Sequence, residues 1–349
     1  MSIISDERII IFRFLQKKYY LCTHNKKKRS PAERIKVMNR NTDIDFARCI
    51  LILEVVLIHI VNFGELYPEA KAVILSFLMP TFLLITGYLV NVEKTPKQFG
   101  RYLLCLFLPY ALMVTGFSVL SYFLPVQDRI TELSVGAVLE KVFISSIGPY
   151  WFLQTMMVCG ALYYACFCWL RPRLPLVAVL LVFGLLLAVV AKATPVLYFD
   201  AIPYYYIGVV LRQTRTSYAA FFPKTGWAIV PMSVLLFYCG VREWGSIGIL
   251  AVVWCAISLM SWLNGVVSRW RVHRHLLYIG ANTLPIYLFH PIFTMLAKFY
   301  LPLFRFDPTG LLHTLVTLLL AIAGGLLLAR LMEVTRLAYL FGKPTLLRS

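Results

Sequence analysis

The sequence predicts an all-α fold, a polytopic membrane bundle of about ten transmembrane helices with both termini on the cytoplasmic side. Three observations predict it. Hydrophobic residues make up 60% of the 349-residue chain and charged residues only 14%, against about a quarter charged in soluble domains. Apolar runs recur along the chain, most of them long enough to cross about 30 Å of hydrocarbon. Lys and Arg gather in alternate loops, the bias that keeps loops in the cytoplasm.

Taken in order, residues 1–40 carry eleven Lys or Arg, including the run Lys26, Lys27, Lys28, Arg29. No small-residue cleavage site follows an apolar core there, so this basic cytoplasmic tail is expected to stay with the mature chain. Its IISDERIIIFRFLQKKYYL stretch reads as a basic, partly apolar helix suited to anionic membrane lipid. Equally, Met38 reads as an alternative start. Residues 41–340 form the membrane domain and 341–349 a short cytoplasmic tail. The ten apolar segments lie near 44–63, 71–91, 100–123, 149–169, 174–193, 196–211, 226–241, 244–264, 276–299 and 311–334. The sixth is short and holds Asp200 and Pro203, as in a re-entrant or broken helix.

The loop charges set the frame. Lys94, Lys97 and Arg101, Arg171 and Arg173, Arg212, Arg215 and Lys224, Arg269, Arg271 and Arg274, and Arg336, Lys343 and Arg348 all fall on the side of the amino-terminal tail. The opposite loops and flanks hold seven basic residues. Agreement of every loop with one frame supports the count of ten, because one miscounted helix inverts the bias downstream. The net charge of +18 is therefore spread over loops on one membrane side and gives no reason to expect nucleic acid. Eight cysteines are scattered, most of them inside apolar runs, with no disulfide framework or metal-binding CxxC spacing, so no metal is expected.

The first segment, DFARCILILEVVLIHIVNF, carries Arg48 and His59 eleven positions apart. Ionisable groups in hydrocarbon are costly and by default mark a working site. Eleven residues advance a helix by about 16 Å and three turns plus roughly 20°, which puts both side chains on one face at two depths. In the frame above, Arg48 sits near the cytoplasmic surface and His59 near the outer one. The ninth segment, LLYIGANTLPIYLFHPIFTMLAKFY, also runs outward and brings His290 to a depth comparable with His59. Equal depth does not by itself make the two helices neighbours.

Each residue has a plainer reading. Arg48 alone reads as a snorkelling side chain, although Asp45, three residues earlier, is placed to pair with it and hold its guanidinium towards a ligand. His59 alone reads as a neutral imidazole bridging helices. Glu54 lies about 140° around the helix from His59 and faces a different neighbour, neutral or bonded to an Asn or Tyr. Pro285, Pro291 and Asn282 loosen the ninth helix, which without chemistry is a kinked packing helix. Trp151 opens the fourth segment where aromatic belts are ordinary and where sugars also stack.

Together these residues resemble the acyltransferase-3 family of integral-membrane O-acyltransferases, which includes acetylases of O-antigen, enterobacterial common antigen and other exported glycans. The resemblance spans about residues 41–340. It rests on the Arg-x10-His pattern at Arg48 and His59 in DIDFARCILILEVVLIH, then FLLITGYL with Gly87 and Tyr88, PYWFL with Trp151, PYYYIGVVLR with Gly208, and LPIYLFHPI with Tyr287 and His290. Cys49 stands where the family often has Gly, and Asn282-Thr283 replaces a usual serine-containing turn.

The resemblance implies a bacterial inner-membrane enzyme that takes an acyl group, acetyl first, from cytoplasmic acyl-CoA and gives it to a hydroxyl of a glycan or glycolipid reached from outside. CoA phosphates would rest near Arg48, oriented by Asp45, and the thioester near His59 as general base or acyl acceptor. His290, Asn282 or Tyr287 would orient the acceptor or stabilise the oxyanion, with Glu54 and Trp151 in support. The rivals are a secondary transporter, which inverted repeats would favour although no convincing pair is visible, and a glycan exporter or polymerase subunit without acyl chemistry.

Overall fold

The computed structural model describes residues 41–123, 129–238 and 242–348. The expectations for the basic segment 1–40, including the alternative start at Met38, lie outside the described residues. Among the described residues the chain is helical throughout, without a strand. The helices are α1 (Thr42–Ile58), α2 (Val61–Leu66), α3 (Pro68–Leu89), α4 (Pro96–Phe123), α5 (Val135–Glu140), α6 (Trp151–Trp169), α7 (Leu176–Ala193), α8 (Ile202–Gln213), α9 (Tyr218–Phe221), α10 (Ile229–Phe237), α11 (Ile247–Val267), α12 (His273–Ala281), α13 (Thr283–Tyr300) and α14 (Leu311–Val334).

Among the described residues seven helical stretches are long and apolar enough to cross a membrane: Pro68–Leu89, Pro96–Phe123, Gly148–Trp169, Leu176–Ala193, Ile247–Val267, Thr283–Phe304 and Leu311–Val334. The remaining three expected segments hold shorter helices, and for the first and sixth local chemistry says why. The first was expected to run to residue 63, but α1 stops at Ile58. There His59 N–H bonds to Val56 O and Ile60 N–H to Leu57 O, each at 3.1 Å, a tightening of the last turn that closes the helix. Ile60 is extended (φ −79°, ψ 108°) and starts α2. The sixth segment yields only the 12 residues of α8, because a 3-10 turn over Phe199–Ala201 precedes it and Pro203 lies in its first turn, where a missing N–H costs nothing. Of the ten expected spans, seven therefore reach spanning length among the described residues, and the first, sixth and seventh segments do not.

Burial separates the helices by role. Eleven of the 17 residues of α1 are buried, whereas α7 buries only Val179, Leu180, Phe183 and Leu187 and turns exposed Leu181, Leu185 and Val189 outward. A helix apolar all round is either a core helix or a lipid-facing one; α1 is the first and α7 the second. Lipid tails are as apolar as Leu, so close backbone packing is what holds such helices together. The crossing of α3 and α8 depends on two glycines. A Cβ on Gly87 would stand 2.3 Å from Tyr205 O, and one on Gly208 would stand 2.1 Å from Leu84 O. Neither position tolerates a side chain without parting the helices.

Candidate functional site

The two imidazoles meet. The His59 and His290 ring centroids lie 5.0 Å apart with the planes at 64°, so α13 packs beside the end of α1 and the equal depth read from the sequence becomes contact. His290 is fully buried and His59 half-buried.

One backbone device orients both rings. Pro291 has no N–H, so the carbonyl four residues back, on Tyr287, loses its helical donor. The His290 Nδ1–H donates to that carbonyl at 2.8 Å. At His59 the tightened turn has the same effect: its own N–H bonds to Val56 O, which leaves Val55 O free to accept from His59 Nδ1–H at 2.7 Å. A carbonyl only accepts, so in each ring Nδ1 carries the hydrogen and Nε2 keeps the lone pair. The His290 Nε2 is buried with no hydrogen-bond partner among the described residues, an unmet acceptor beside a second imidazole.

Tyr287 links this pair to a cavity of about 390 Å³. Its ring centroid is 5.9 Å from that of His290, and it lines the cavity together with Phe152. The walls between are apolar, including Ile52, Val55, Phe82, Ile85 and Met156. The other end is cationic and collects Arg48, Lys94, Lys343 and Arg348. On α1 the lining runs from Arg48 through Ile52 to Val55, about 10 Å of helix axis, and the two histidines stand beside the lining at the Tyr287 end. Burial lowers the pKa of Lys343 below the ordinary lysine value, opposed by Cys105 and reinforced by the charges of Arg348 and Lys94; burial lowers that of Lys94 as well. Cations gathered in this way favour an anion among them.

Arg48 is held rather than snorkelling freely. Its Nη2 donates to Thr283 Oγ1 at 2.5 Å, and Nη1 lies 3.8 Å from Asp45 Oδ1, which puts Asp45 beside the guanidinium as the spacing anticipated. Thr283 was noted in the sequence only as a departure from a serine turn, and it proves to be a partner of Arg48.

The other candidates fall elsewhere. Asn282 breaks the ninth segment into α12 and α13, with φ −113° and ψ 31°. Its side chain donates to Tyr278 O at 2.8 Å and Arg348 O at 3.1 Å and accepts from Arg348 N–H at 2.6 Å. It therefore serves the carboxy-terminal segment at the Arg48 end, eight residues from His290. The Tyr287 hydroxyl donates to Pro149 O, and Tyr150 returns a bond to Leu288 O at 3.0 Å. These two bonds fasten the turn before α6 to α13 and commit the Tyr287 proton. Glu54, read as either neutral or bonded to an Asn or Tyr, has its Oε2 buried with no hydrogen-bond partner among the described residues. Trp151 packs against Tyr198 and Trp244, at 4.9 and 5.9 Å between centroids, one residue from the cavity-lining Phe152.

Lys94, Lys343 and Arg348 had counted in the sequence only as orientation charges. The available signal was their place in the two short loops that follow α3 and α14. Among the described residues no group of three or more His, Cys, Asp or Glu could hold a metal.

A family model described as an acyltransferase domain matches residues 41–330. No curated protein and no solved structure matches the chain.

Proposed function

The chain belongs to the acyltransferase-domain family matched over residues 41–330, and from that premise we propose that it moves an acyl group, acetyl first, from acyl-CoA to a hydroxyl of an exported glycan or glycolipid. The observation that carries this reading is the cavity with cations at one end and Tyr287 at the other, next to the His59–His290 pair. Its shape suits a donor with a phosphate-rich head and a slender arm. The phosphates lie among Arg48 and its neighbours, where the guanidinium fork and permanent charge favour them. The arm follows the apolar wall, and its thioester comes to rest by the histidines.

His59 Nε2 then takes the proton of the acceptor hydroxyl as its oxygen adds to the thioester carbonyl. The tetrahedral intermediate expels the CoA thiolate, and the imidazolium returns the proton to that sulfur. His290 lies beside His59 with its own lone pair free. It serves to orient the acceptor hydroxyl or share the proton. The half-buried Trp151, with the exposed Tyr198, offers rings on which an apolar sugar face can stack. In this reading both ends of the chain lie in the cytoplasm of a bacterial inner membrane, so the donor enters from inside and the acceptor from outside.

The test uses membranes containing the full chain, incubated with acetyl-CoA labelled in the acetyl group. Label is expected in glycan or glycolipid, and mass spectrometry of that product names the acyl group and the acceptor. Absence of acetyl-CoA binding, together with solute uptake by the same vesicles, would instead favour a carrier.

A further inference from the structure

We propose that the carboxy-terminal segment, residues 343–348, is a built-in strap whose two cations, Lys343 and Arg348, bind the phosphates of the acyl donor. The inference rests on the acyl-CoA reading above and adds a part of the site that lies outside the family match, which ends at residue 330.

Three observations carry it. First, the segment is fastened back over the bundle. After α14 and a 3-10 turn at Leu337–Phe341, Gly342 reverses the chain at φ +70°. Glu333 Oε1 then accepts the N–H groups of Leu346 and Leu347 at 2.7 and 2.8 Å, and Asn282 holds both the N–H and the carbonyl of Arg348. Second, the fastening aims charge. Lys343 and Arg348 line the same cavity as Arg48 and Lys94, and no carboxylate is among the residues lining it. Neither strap side chain forms an ion pair among the described residues. Third, the strap is not packed solidly beneath. A second space of about 200 Å³ lies between it and Cys105, Leu284 and Leu288.

Lys94, Lys343 and Arg348 face one cavity together with Arg48, whose charge Asp45 offsets in part, and the repulsion among them is relieved when a polyanion enters. A nucleotide with a diphosphate and a further phosphate matches this charge, whereas the pantetheine arm does not need it. Asn282 and Glu333 are the positioning residues. They hold the strap through its backbone and leave both cationic side chains for the ligand. A few hydrogen bonds and the half-buried Leu346 and Leu347 hold it, and no helix has to unfold for it to lift.

The experiment measures binding to the purified full chain in neutral-lipid nanodiscs by calorimetric titration with acetyl-CoA and with S-acetylpantetheine, which has no phosphate. The Lys343→Gln/Arg348→Gln pair should weaken acetyl-CoA binding by about tenfold or more, the loss of two charge-assisted contacts. It should flatten the salt dependence and leave S-acetylpantetheine binding unchanged. The charge-keeping pair Lys343→Arg/Arg348→Lys should stay close to the original affinity, with thermal melting checking the fold of each. Undiminished acetyl-CoA binding by the Gln pair overturns the inference. Equal weakening by both pairs overturns it too, since shape rather than charge would then be at work. A parent chain that does not bind acetyl-CoA overturns the donor reading itself, and the strap's role with it.

Discussion

Pro291 acts through an absence, because the N–H it lacks is what frees Tyr287 O to hold His290 Nδ1–H. Replacing it with alanine restores a helical donor that competes for that carbonyl. Pro291→Ala should therefore leave thermal stability equal or higher while acyl transfer falls and its pH profile changes, as His290 samples both tautomers; an unchanged rate and profile would show that the tautomer is not held this way. Arg48→Ala should raise the KM for acyl-CoA with little change in kcat, since an anchor distant from the reacting atoms contributes binding rather than chemistry. Loss of membrane insertion with the same KM would return Arg48 to a snorkelling role. The lowered Lys343 pKa adds a pH dependence. Phosphate binding needs the ammonium form, which is complete below that pKa and lost above it, so acetyl-CoA affinity should fall as pH rises through this range, with proton uptake on binding. Arg48, His59 and His290 were legible in the sequence because ionisable groups stand out in hydrocarbon. Lys343 and Arg348 were not, because almost 300 residues separate them from Arg48 and only the folded chain closes that distance.

At the scale of elements, hydropathy located helices well and their ends poorly. The apolar run of the first segment continues past Ile58, and nothing in its composition marks the tightened turn that stops α1 and releases Val55 O. The ninth segment reads as one kinked helix, yet Asn282 divides it and spends its amide on Arg348 of the carboxy-terminal segment, 66 residues further along the chain. The close crossing of α3 and α8 was legible only as glycines within motifs; their reason is the 2.1 and 2.3 Å that a Cβ would leave. Gly208→Ala should cost about 1–3 kcal/mol through that overlap, measured as a lowered melting temperature in detergent. An unshifted melt would mean that the two helices separate freely.

For the molecule as a whole, the proposed direction of the bundle rests on loop charge. If the frame is right, a cysteine placed in the Trp270 loop should be labelled by an impermeant reagent only in inside-out vesicles, and one placed near Asp307 only in intact spheroplasts. The reverse pattern would put the cationic mouth on the side without acyl-CoA. The direction is read from the uneven distribution of Lys and Arg alone, whereas the cavity was not legible in the sequence, since its walls come from α1, α3, α4, α6, α13 and the carboxy-terminal segment at once.

The most direct test of the account is acetyl transfer from labelled acetyl-CoA by His59→Ala in membranes, with acetyl-CoA binding measured on the same purified variant. Removal of the base should lower transfer by on the order of 10²–10⁴-fold while binding at the distant cationic mouth and membrane insertion stay intact. Transfer at the parent rate would contradict the assignment of His59 as the group that takes the acceptor's proton.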